Sequence, residues 1–492
     1  MAEKGTLIIL GASVRAAAES AARGGYQPWG IDLFGDADLQ TLGPTTPIKN
    51  YPAEFLRALA KGPQAPWIYT GSLENYPRLI ARLAKLRPLL GNGSEQLALV
   101  RDPCWLAATL TEISGMSYPE TCLSPESITD NGWLMKPLRS GSGMGIRKAA
   151  EFGSRERGGA GRVIEESGFG KSGNSFGGKL GTSETQVITG EGFEEDESNE
   201  LNGNFRNRET GEQPQTGEIG NWKSGNLNGG EQGRAEAQVA AGAALGEHAT
   251  HELNGNFRNR TSGYKDMVWQ RFVAGKPLSA AFLASRKSVK LLGVAEQWCG
   301  PNWGAPQEFQ YAGSLAPAPL TAAEEAALME TATRLVEDAG LIGLFGIDFI
   351  RRTGESPGLT LIEVNPRYTA SMELYESLRG QSLIAAHCRV VAGEEIESFT
   401  EPLSRACRGK LIVYATAAGS AGQRLAELWT SLAEEQVTAA DLPCLDSTIE
   451  PFAPICTLLT GGIDAGQIGE RLLAAAQRVR HALAPLPETA RR

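Results

Sequence analysis

Two short segments near residue 350 carry the side chains best suited to chemistry. GLFGIDFIRR and GLTLIEVNPR, joined by TGESP, read as the two strands of a hairpin. Folded about that turn, the pair sets Asp348 opposite Glu363. Directly opposed residues hold their Cβ atoms ~4.5–5.5 Å apart on one face. Asn365 and Arg367 follow Glu363 at steps of two and share that face. Two carboxylates and an amide oxygen suit a hard cation such as Mg²⁺, with Mn²⁺ an acceptable substitute, and an adjacent arginine suits phosphate oxygens. A salt-bridged surface hairpin is the plainer alternative. It fits poorly with the apolar runs LFGIDFI and TLIEV, because unpaired buried carboxylates are costly.

A second candidate is WLMKPLRSGSGMGIRKA. A strand places Lys136, and a loop of Ser140, Gly141, Ser142, Gly143, Met144 and Gly145 follows. Glycines let backbone N–H groups approach phosphate, while the ammonium neutralises its charge. The lysine precedes the glycines, so this is not the Walker arrangement, in which it ends the loop. Gly170, Lys171 and Ser172 do not supply one either, since Glu165 takes the required first glycine position. A third segment, VWQRFVAGKP, reads as a strand entering a turn, with backbone groups to offer an adenine edge and Gln270 nearby.

The N-terminal strand TLIILG enters the turn GASVRAA, where backbone N–H groups can receive an anion. Ser13 and Arg15 add polar and cationic groups beside it. Ser13 and Ala16 replace two glycines of the dinucleotide fingerprint, so nicotinamide binding is poorly supported even with Asp32 about twenty residues on.

These groups need elements to hold them. Up to residue 125, apolar runs (TLIILG, PWGIDL, APWIYTG, PLLGN) alternate with helical patterns at 14–23 and 76–86, as in a parallel, doubly wound sheet. YTGSLEN, residues 69–75, ends one of those strands, on the side where such sheets gather ligands. Composition then changes. Residues 153–263 are rich in Gly, Asn, Glu and Ser, and ELNGNFRNR occurs at 200–208 and again at 252–260. Such a segment buries too little apolar surface to offset its ordering entropy, and it is expected to be disordered apart from a helix at 234–245. From Met267, the segments MVWQRFVAG, PLSAAFLAS and VKLLGVAEQWCG predict antiparallel strands. A helix opens with a Thr321–Glu324 capping box and stops at Gly340. Beyond residue 396 come the strands KLIVYA and ICTLLT and a closing helix.

At 492 residues the chain is long enough for roughly three domains of ~150 residues. A net charge of −10 and the lack of a basic stripe argue against nucleic acid. No run reaches the ~18 apolar residues of a membrane span, which argues against a membrane partner. Seven scattered cysteines without a CxxC pair suit a reducing cytoplasm. Only four histidines occur, two of them (His248 and His251) in the low-complexity stretch, which argues against a zinc site or a histidine triad.

Taken in order, the lysine strand with its glycine loop, the hinge strand, and the aspartate strand paired with E-x-N-x-R resemble the ATP-grasp superfamily over about residues 5–390. The opening strands, RDPCWLAATLTEISGMSYPET and DLPCLDSTIEPFAPICTLL also resemble ATP-dependent carboligases related to biotin carboxylase, some of them associated with one-carbon cofactor pathways. The resemblance implies an α/β and α+β architecture in three parts. These are a parallel pre-ATP-grasp domain at 1–125, a two-lobed ATP-grasp domain at 126–395 with the insertion at 153–263, and a small α+β region at 396–492.

It also implies roles. Lys136 and the loop residues Ser140, Gly141, Ser142, Gly143 and Gly145 would hold the ATP phosphates, with Gln270, Arg271 and Val273 at the adenine hinge. Asp348, Glu363 and Asn365 match the Mg²⁺ ligands, and Arg367 and Lys136 the groups at the transferred phosphoryl. Ser13, Arg15 and Arg139 are the expected contacts to the acid substrate. Many relatives carry a second ATP-contacting lysine in an Asp-Lys pair. Here Asp102 precedes Pro103, leaving Arg101 as the candidate substitute.

The implied activity is a carboxylate–amine or carboxylate–thiol ligase acting through an acyl phosphate, with cofactor biosynthesis of one-carbon metabolism as a candidate pathway. A carboxylase, a kinase-like enzyme and a non-catalytic nucleotide-binding regulator are the rivals, and a homodimer stays open as the assembly. No feature for docking a biotin carrier is recognisable. If 153–263 is an insertion, replacing it with a short Gly/Ser linker will leave folding and ATP turnover intact. Loss of either in the shortened chain would show that the segment belongs to the working enzyme.

Overall fold

The run Leu7–Leu10 offers solvent no polar face, and all four of its side chains are fully buried. It belongs to β1 (Lys4–Leu10), a central strand of a parallel sheet. A strand covered on both faces reads as a continuous apolar run, not an alternating one. Its neighbours are β2 (Tyr26–Asp32) and β4 (Trp67–Tyr69), with β3 (Thr45–Pro47) outside β2, giving the order β3-β2-β1-β4. The expected PLLGN strand amounts to a single bridge from Leu89 to Trp67. In the computed structural model, residues 4–124, 128, 130–149, 266–354, 357–396 and 406–486 are described. The repeats and the helix expected at 234–245 lie outside them.

A small antiparallel sheet follows. Beside β5 (Met116–Ser117), which joins a larger sheet, the chain forms β6 (Thr121–Cys122), β7 (Trp133–Pro137), β8 (Arg147–Lys148) and β9 (Met267–Arg271). Their order is β6-β9-β7-β8, around a core of Trp133, Met135 and Trp269. Strands β8 and β9 thus flank β7, with Leu134 paired to Lys148 on one side and Gln270 on the other.

The large sheet contains β10 (Gly275–Ala284), β11 (Val289–Cys299), β12 (Tyr311–Ala316), β13 (Gly343–Arg352) and β14 (Gly358–Asn365). Later come β15 (Cys407–Tyr414), β16 (Gly419–Ser420), β17 (Val437–Ala440), β18 (Thr448–Ile449) and β19 (Pro454–Gly462). Nine strands run in the order β17-β19-β15-β12-β11-β10-β13-β14-β5, antiparallel except where β14 meets β5. Strands β16 and β18 pair apart, with Ala484–Pro485. The C-terminal strands therefore extend the same sheet that carries the Asp348–Glu363 hairpin.

Helix Ala322–Ala339 covers this sheet, packing Leu328, Ala332 and Leu335 in one cluster with Phe282, Phe345 and Phe349. Its ends follow the expected chemistry. Glu324 N–H donates to Thr321 Oγ1 (3.2 Å), Thr321 N–H donates to Glu324 Oε2 (2.8 Å), and Gly340 takes the left-handed cap at φ 67°. None of the seven cysteines is in a disulfide. Among the described residues no helix is long and apolar enough to cross a membrane.

Arg15, on the first helix, ties the parallel sheet to the rest. It is buried, and its Nε donates to Asp441 Oδ1 (3.0 Å) just beyond β17. Its Nη1 donates to Glu19 Oε2 (3.0 Å) and to Glu373 on helix Met372–Arg379. Lys410 of β15 donates to the other Glu373 oxygen (2.7 Å). Burial alone would raise the Glu373 carboxyl, but Arg15 and Lys410 outweigh it and hold it at about 2. A depressed carboxylate stabilises the fold above its unfolded value and loses that contribution as pH falls through its folded one. Glu373→Gln leaves two buried cations short of a partner, and about 3–5 kcal/mol of stability should go at pH 7. Urea unfolding will show this gap to the native protein shrinking between pH 4.5 and about 2. A gap that stays constant over that window would mean that the carboxylate charge is not what stabilises the cluster.

Candidate active site

The β13–β14 register sets Asp348 opposite Glu363 and Gly346 opposite Asn365, as the alternation anticipates. The hairpin is not symmetric, however. A register shift after Asp348 pairs Phe349 with Leu361, so Ile362 is an extra residue on β14. Such a bulge bends the strand and re-aims the side chains beyond it. Here it lies immediately before Glu363.

The charges around this pair decide its electrostatics. Asp348 accepts from Gln297 Nε2 (2.9 Å) and Asn365 Nδ2 (2.9 Å). Burial and the neighbouring Glu363 push its carboxyl up to about 7. Glu363 shifts the other way. Burial raises it too, but Arg101 and Lys136 win and hold it below its ordinary value. Arg101 Nη1 donates to Glu363 Oε1, and its Nη2 donates to Asn75 Oδ1 (2.6 Å). Lys136 Nζ donates to Gln270 Oε1 (2.9 Å), and burial lowers the Lys136 ammonium despite Glu363 and Asp348. Arg367 Nη2 donates to Glu74 Oε1 (2.6 Å) and to Asn365 Oδ1 (3.1 Å). Three carboxylates and three cations, from β4's following turn, β7, β13, β14 and the segments beside them, thus meet in one patch in which Glu74 is buried and the other five are half-buried.

Among the described residues, no group of three or more His, Cys, Asp and Glu side chains could enclose a metal. Asp348, Glu363 and Asn365 offer two carboxylates and one amide oxygen. That set fits Mg²⁺ of the kind held by one or two carboxylates together with substrate phosphates, and it does not fit an all-protein cage.

The glycine loop lies against two neighbours. Asn75 Nδ2 donates to the Ser140 carbonyl (3.1 Å), and Gly141 lies against the Ser72 side chain. On the other side, Tyr311 N–H donates to the Ser142 carbonyl (2.9 Å) and Gly145 N–H donates to Gln307 Oε1 (2.8 Å). Ser142, Gly143 and Gly145 all have positive φ (57°, 73° and 75°). A methyl group at Gly143 would overlap the Phe309 carbonyl oxygen.

The remaining expected residues divide. Gln270 is buried between Lys136 and Thr121. Arg271 ends β9, donates to both oxygens of Asp130 (2.6 and 2.8 Å) and lies over the Trp133 ring at 5.6 Å. Val273 follows just beyond that strand, half-buried. Ser13 and Arg139 are exposed, and the Ser13 carbonyl accepts from Thr70 Oγ1 (2.9 Å). Arg15 is not the solvent-facing cation that its helix position suggests. Its donors are taken by Glu19, Glu373 and Asp441, so an acid substrate would have to displace carboxylates of the chain itself. Sequence reasoning missed Glu74, Asn75 and Gln297 as site residues. YTGSLEN was the only signal for the first two, as a segment at a strand end.

The comparisons agree with this geometry. Residues 241–371 match a family model described as an ATP-grasp domain, which takes in Asp348, Glu363, Asn365 and Arg367. No curated protein matches the chain significantly. Among solved structures, N5-carboxyaminoimidazole ribonucleotide synthetase from Thermus thermophilus is similar at 16% identity, over 98% of this chain and 99% of that one (TM-score 0.55). L-amino acid ligase from Bacillus licheniformis is similar at 12% identity, over 99% and 100% (TM-score 0.56). A Campylobacter jejuni biotin carboxylase is similar at 13% identity, over 94% and 88% (TM-score 0.54). The fold is the ATP-grasp fold.

Gly143→Ala tests the docking of the glycine loop. Strain at φ 73° and the clash with Phe309 should free the loop. Amide exchange at Tyr311 is then expected to accelerate about tenfold or more, the equivalent of ~1.4 kcal/mol of local opening. Unchanged Tyr311 protection in the folded variant would show that the loop contact is not what shields it.

Proposed function

We propose that this ATP-grasp chain is an ADP-forming ligase that phosphorylates a carboxylate and passes the acyl group to an amine. The observation that carries the reading is the β13–β14 pairing, which sets Asp348 and Glu363 face to face with Lys136 and Arg367 in the same half-buried patch. A carboxylate is a poor acyl donor because its leaving group would be oxide. Transfer of a phosphoryl group to it supplies phosphate as the leaving group, and two anions must first be held together. Lys136 and the loop at 140–145 bind the triphosphate in this account, and Gln270 orients Lys136 through its 2.9 Å hydrogen bond. Arg367 steadies the transferred phosphoryl and the acid oxygen that receives it, in a site where burial strengthens each charge contact. Asp348, Glu363 and Asn365 would hold Mg²⁺, which when bound supplies positive charge to the phosphate oxygens. The nitrogen of the amine then forms its bond to the acyl carbon as the carbon–oxygen bond to phosphate breaks.

Bicarbonate in place of the organic acid is a second reading. It is favoured by the names of two fold neighbours, a biotin carboxylase and a carboxyaminoimidazole ribonucleotide synthetase. An ADP-release assay run across carboxylates, bicarbonate and amines separates the two. In that assay the double variant Glu363→Ala/Asn365→Ala is expected to lose at least ~100-fold in Mg-dependent turnover while keeping its melting temperature within a few degrees, the scale of removing transition-state charge stabilisation. Turnover that persists in the folded double variant would remove the metal assignment.

A further inference from the structure

Buried polar atoms in native proteins almost always have a partner, and one that does not calls for an explanation. Three such atoms, Glu74 Oε2, Arg367 Nε and the Tyr51 hydroxyl, belong to side chains that influence one another beside the Asp348–Glu363 patch. They are neighbours. Glu74 and Arg367 are joined by their other atoms at 2.6 Å, and the Tyr51 hydroxyl is pushed up by burial and then by Glu74. Glu74 is 2% exposed. It sits in the turn Leu73–Asn75 directly after β4, with Ser72 at φ 73° opening that turn. The ring of Tyr51 is fixed edge-on between Phe55 (5.3 Å) and Tyr76 (6.1 Å). The hydroxyl therefore cannot swing away to find water without breaking both ring contacts.

The chemistry of the three atoms is complementary. Glu74 Oε2 only accepts, Arg367 Nε only donates, and a tyrosine hydroxyl does either. A ligand that satisfies them needs an anionic oxygen for Arg367 and a cationic N–H donor for Glu74, a short distance apart. A plain carboxylic acid has the first and lacks the second.

We propose that the acid substrate is an amino acid, with Glu74 and the Tyr51 hydroxyl receiving its ammonium while Arg367 holds its carboxylate. This rests on the ligase reading, in which Arg367 faces the acid. Glu74 is a substrate-binding residue and takes no part in phosphoryl transfer. Because the Glu74–Arg367 contact uses Oε1 and Nη2, both partners keep their mutual ion pair while each offers its second atom. The pair is preorganised, so the ligand does not have to order it on binding.

The test uses the full chain with Mg²⁺ and a non-hydrolysable ATP analogue. Calorimetry compares each of the twenty common L-amino acids with its des-amino counterpart, for example L-alanine with propionate and L-glutamate with glutarate. At least one amino acid should bind about tenfold to a hundredfold more tightly than its counterpart, the range of a charge-assisted hydrogen bond. Glu74→Gln should abolish that preference while leaving the affinity for the ATP analogue unchanged. Tyr51→Phe, which keeps the ring packing, should weaken the amino acid alone, and in turnover should raise its KM far more than that for ATP. Equal binding of both members of every pair, a preference that survives in Glu74→Gln, or no amino acid binding at all would overturn the proposal. The ligase reading fails separately. If a des-amino acid drives ADP release as well as its amino acid, the ligase stands and the ammonium site falls, whereas if no acid drives release, the ligase itself falls.

Discussion

A buried charge has to be paired, and the organisation of this protein follows from how it pairs Arg15. A guanidinium removed from water costs several kcal/mol unless carboxylates surround it. Here Glu19, Glu373 and Asp441 do so, from the first helix, the helix after β14 and the end of β17. Those segments are far apart in the chain, and the cluster can close only when the parallel sheet, the hairpin and the C-terminal strands are all in place. Lys410 adds a second cation to Glu373 and anchors the Ala370 carbonyl at 3.2 Å, between Arg367 and the helix that follows. The stretch that carries Arg367 is thereby held at both ends, by strand pairing in β14 and by this ion cluster.

The charges around Asp348 and Glu363 follow the same rule with a different balance. Asp348 and Glu363 repel each other, and their environments push them apart in acidity, one raised and one lowered. Arg101 explains the difference, because it donates to Glu363 and not to Asp348. Pro103 opens a helix whose N-cap is Asp102, with that side chain accepting from the Cys104 and Trp105 N–H groups. Arg101, two residues before Pro103, donates to Glu363 and brings its charge to the patch.

How much of this was legible depended on the range of the interaction. The Asp348–Glu363 pairing could be read because a short turn joins the two strands, so opposed residues can be counted outward from it, and a slip by one residue would have turned the carboxylates to the other face. The bulge at Ile362 could not, since Leu361 and Ile362 are both apolar and nothing in the run marks one of them as extra. The capping box at Thr321 was visible because it lies within one helical turn. Glu74 left no such trace. Its partner Arg367 stands 293 residues away in the chain, and nothing around LEN marks a buried carboxylate. Arg15 was expected to face the acid substrate, and its burial left no trace for the same reason, as its partners Glu373 and Asp441 come from remote segments. The C-terminal strands were expected individually, but their membership of the large sheet follows from β12 pairing with β15, a contact across about a hundred residues of chain.

The strand order of the small sheet also bears on chain length. Because β8 and β9 lie on either side of β7, the chain leaves at Lys148, opposite Leu134, and returns at Met267, opposite Pro137, two strand spacings across and three residues along, about 14 Å. The entropic cost of closing a loop between two such fixed points grows as the logarithm of its length, so each doubling adds only about 0.6 kcal/mol. That gap acts as a socket. By that scaling a connection of about a hundred residues costs the lobe only about 2–3 kcal/mol more than one of a handful. Total length is thus a weakly constrained property of this architecture. A homologue that lacks the segment altogether should still be superimposable, strand for strand, on the sheet that surrounds the gap.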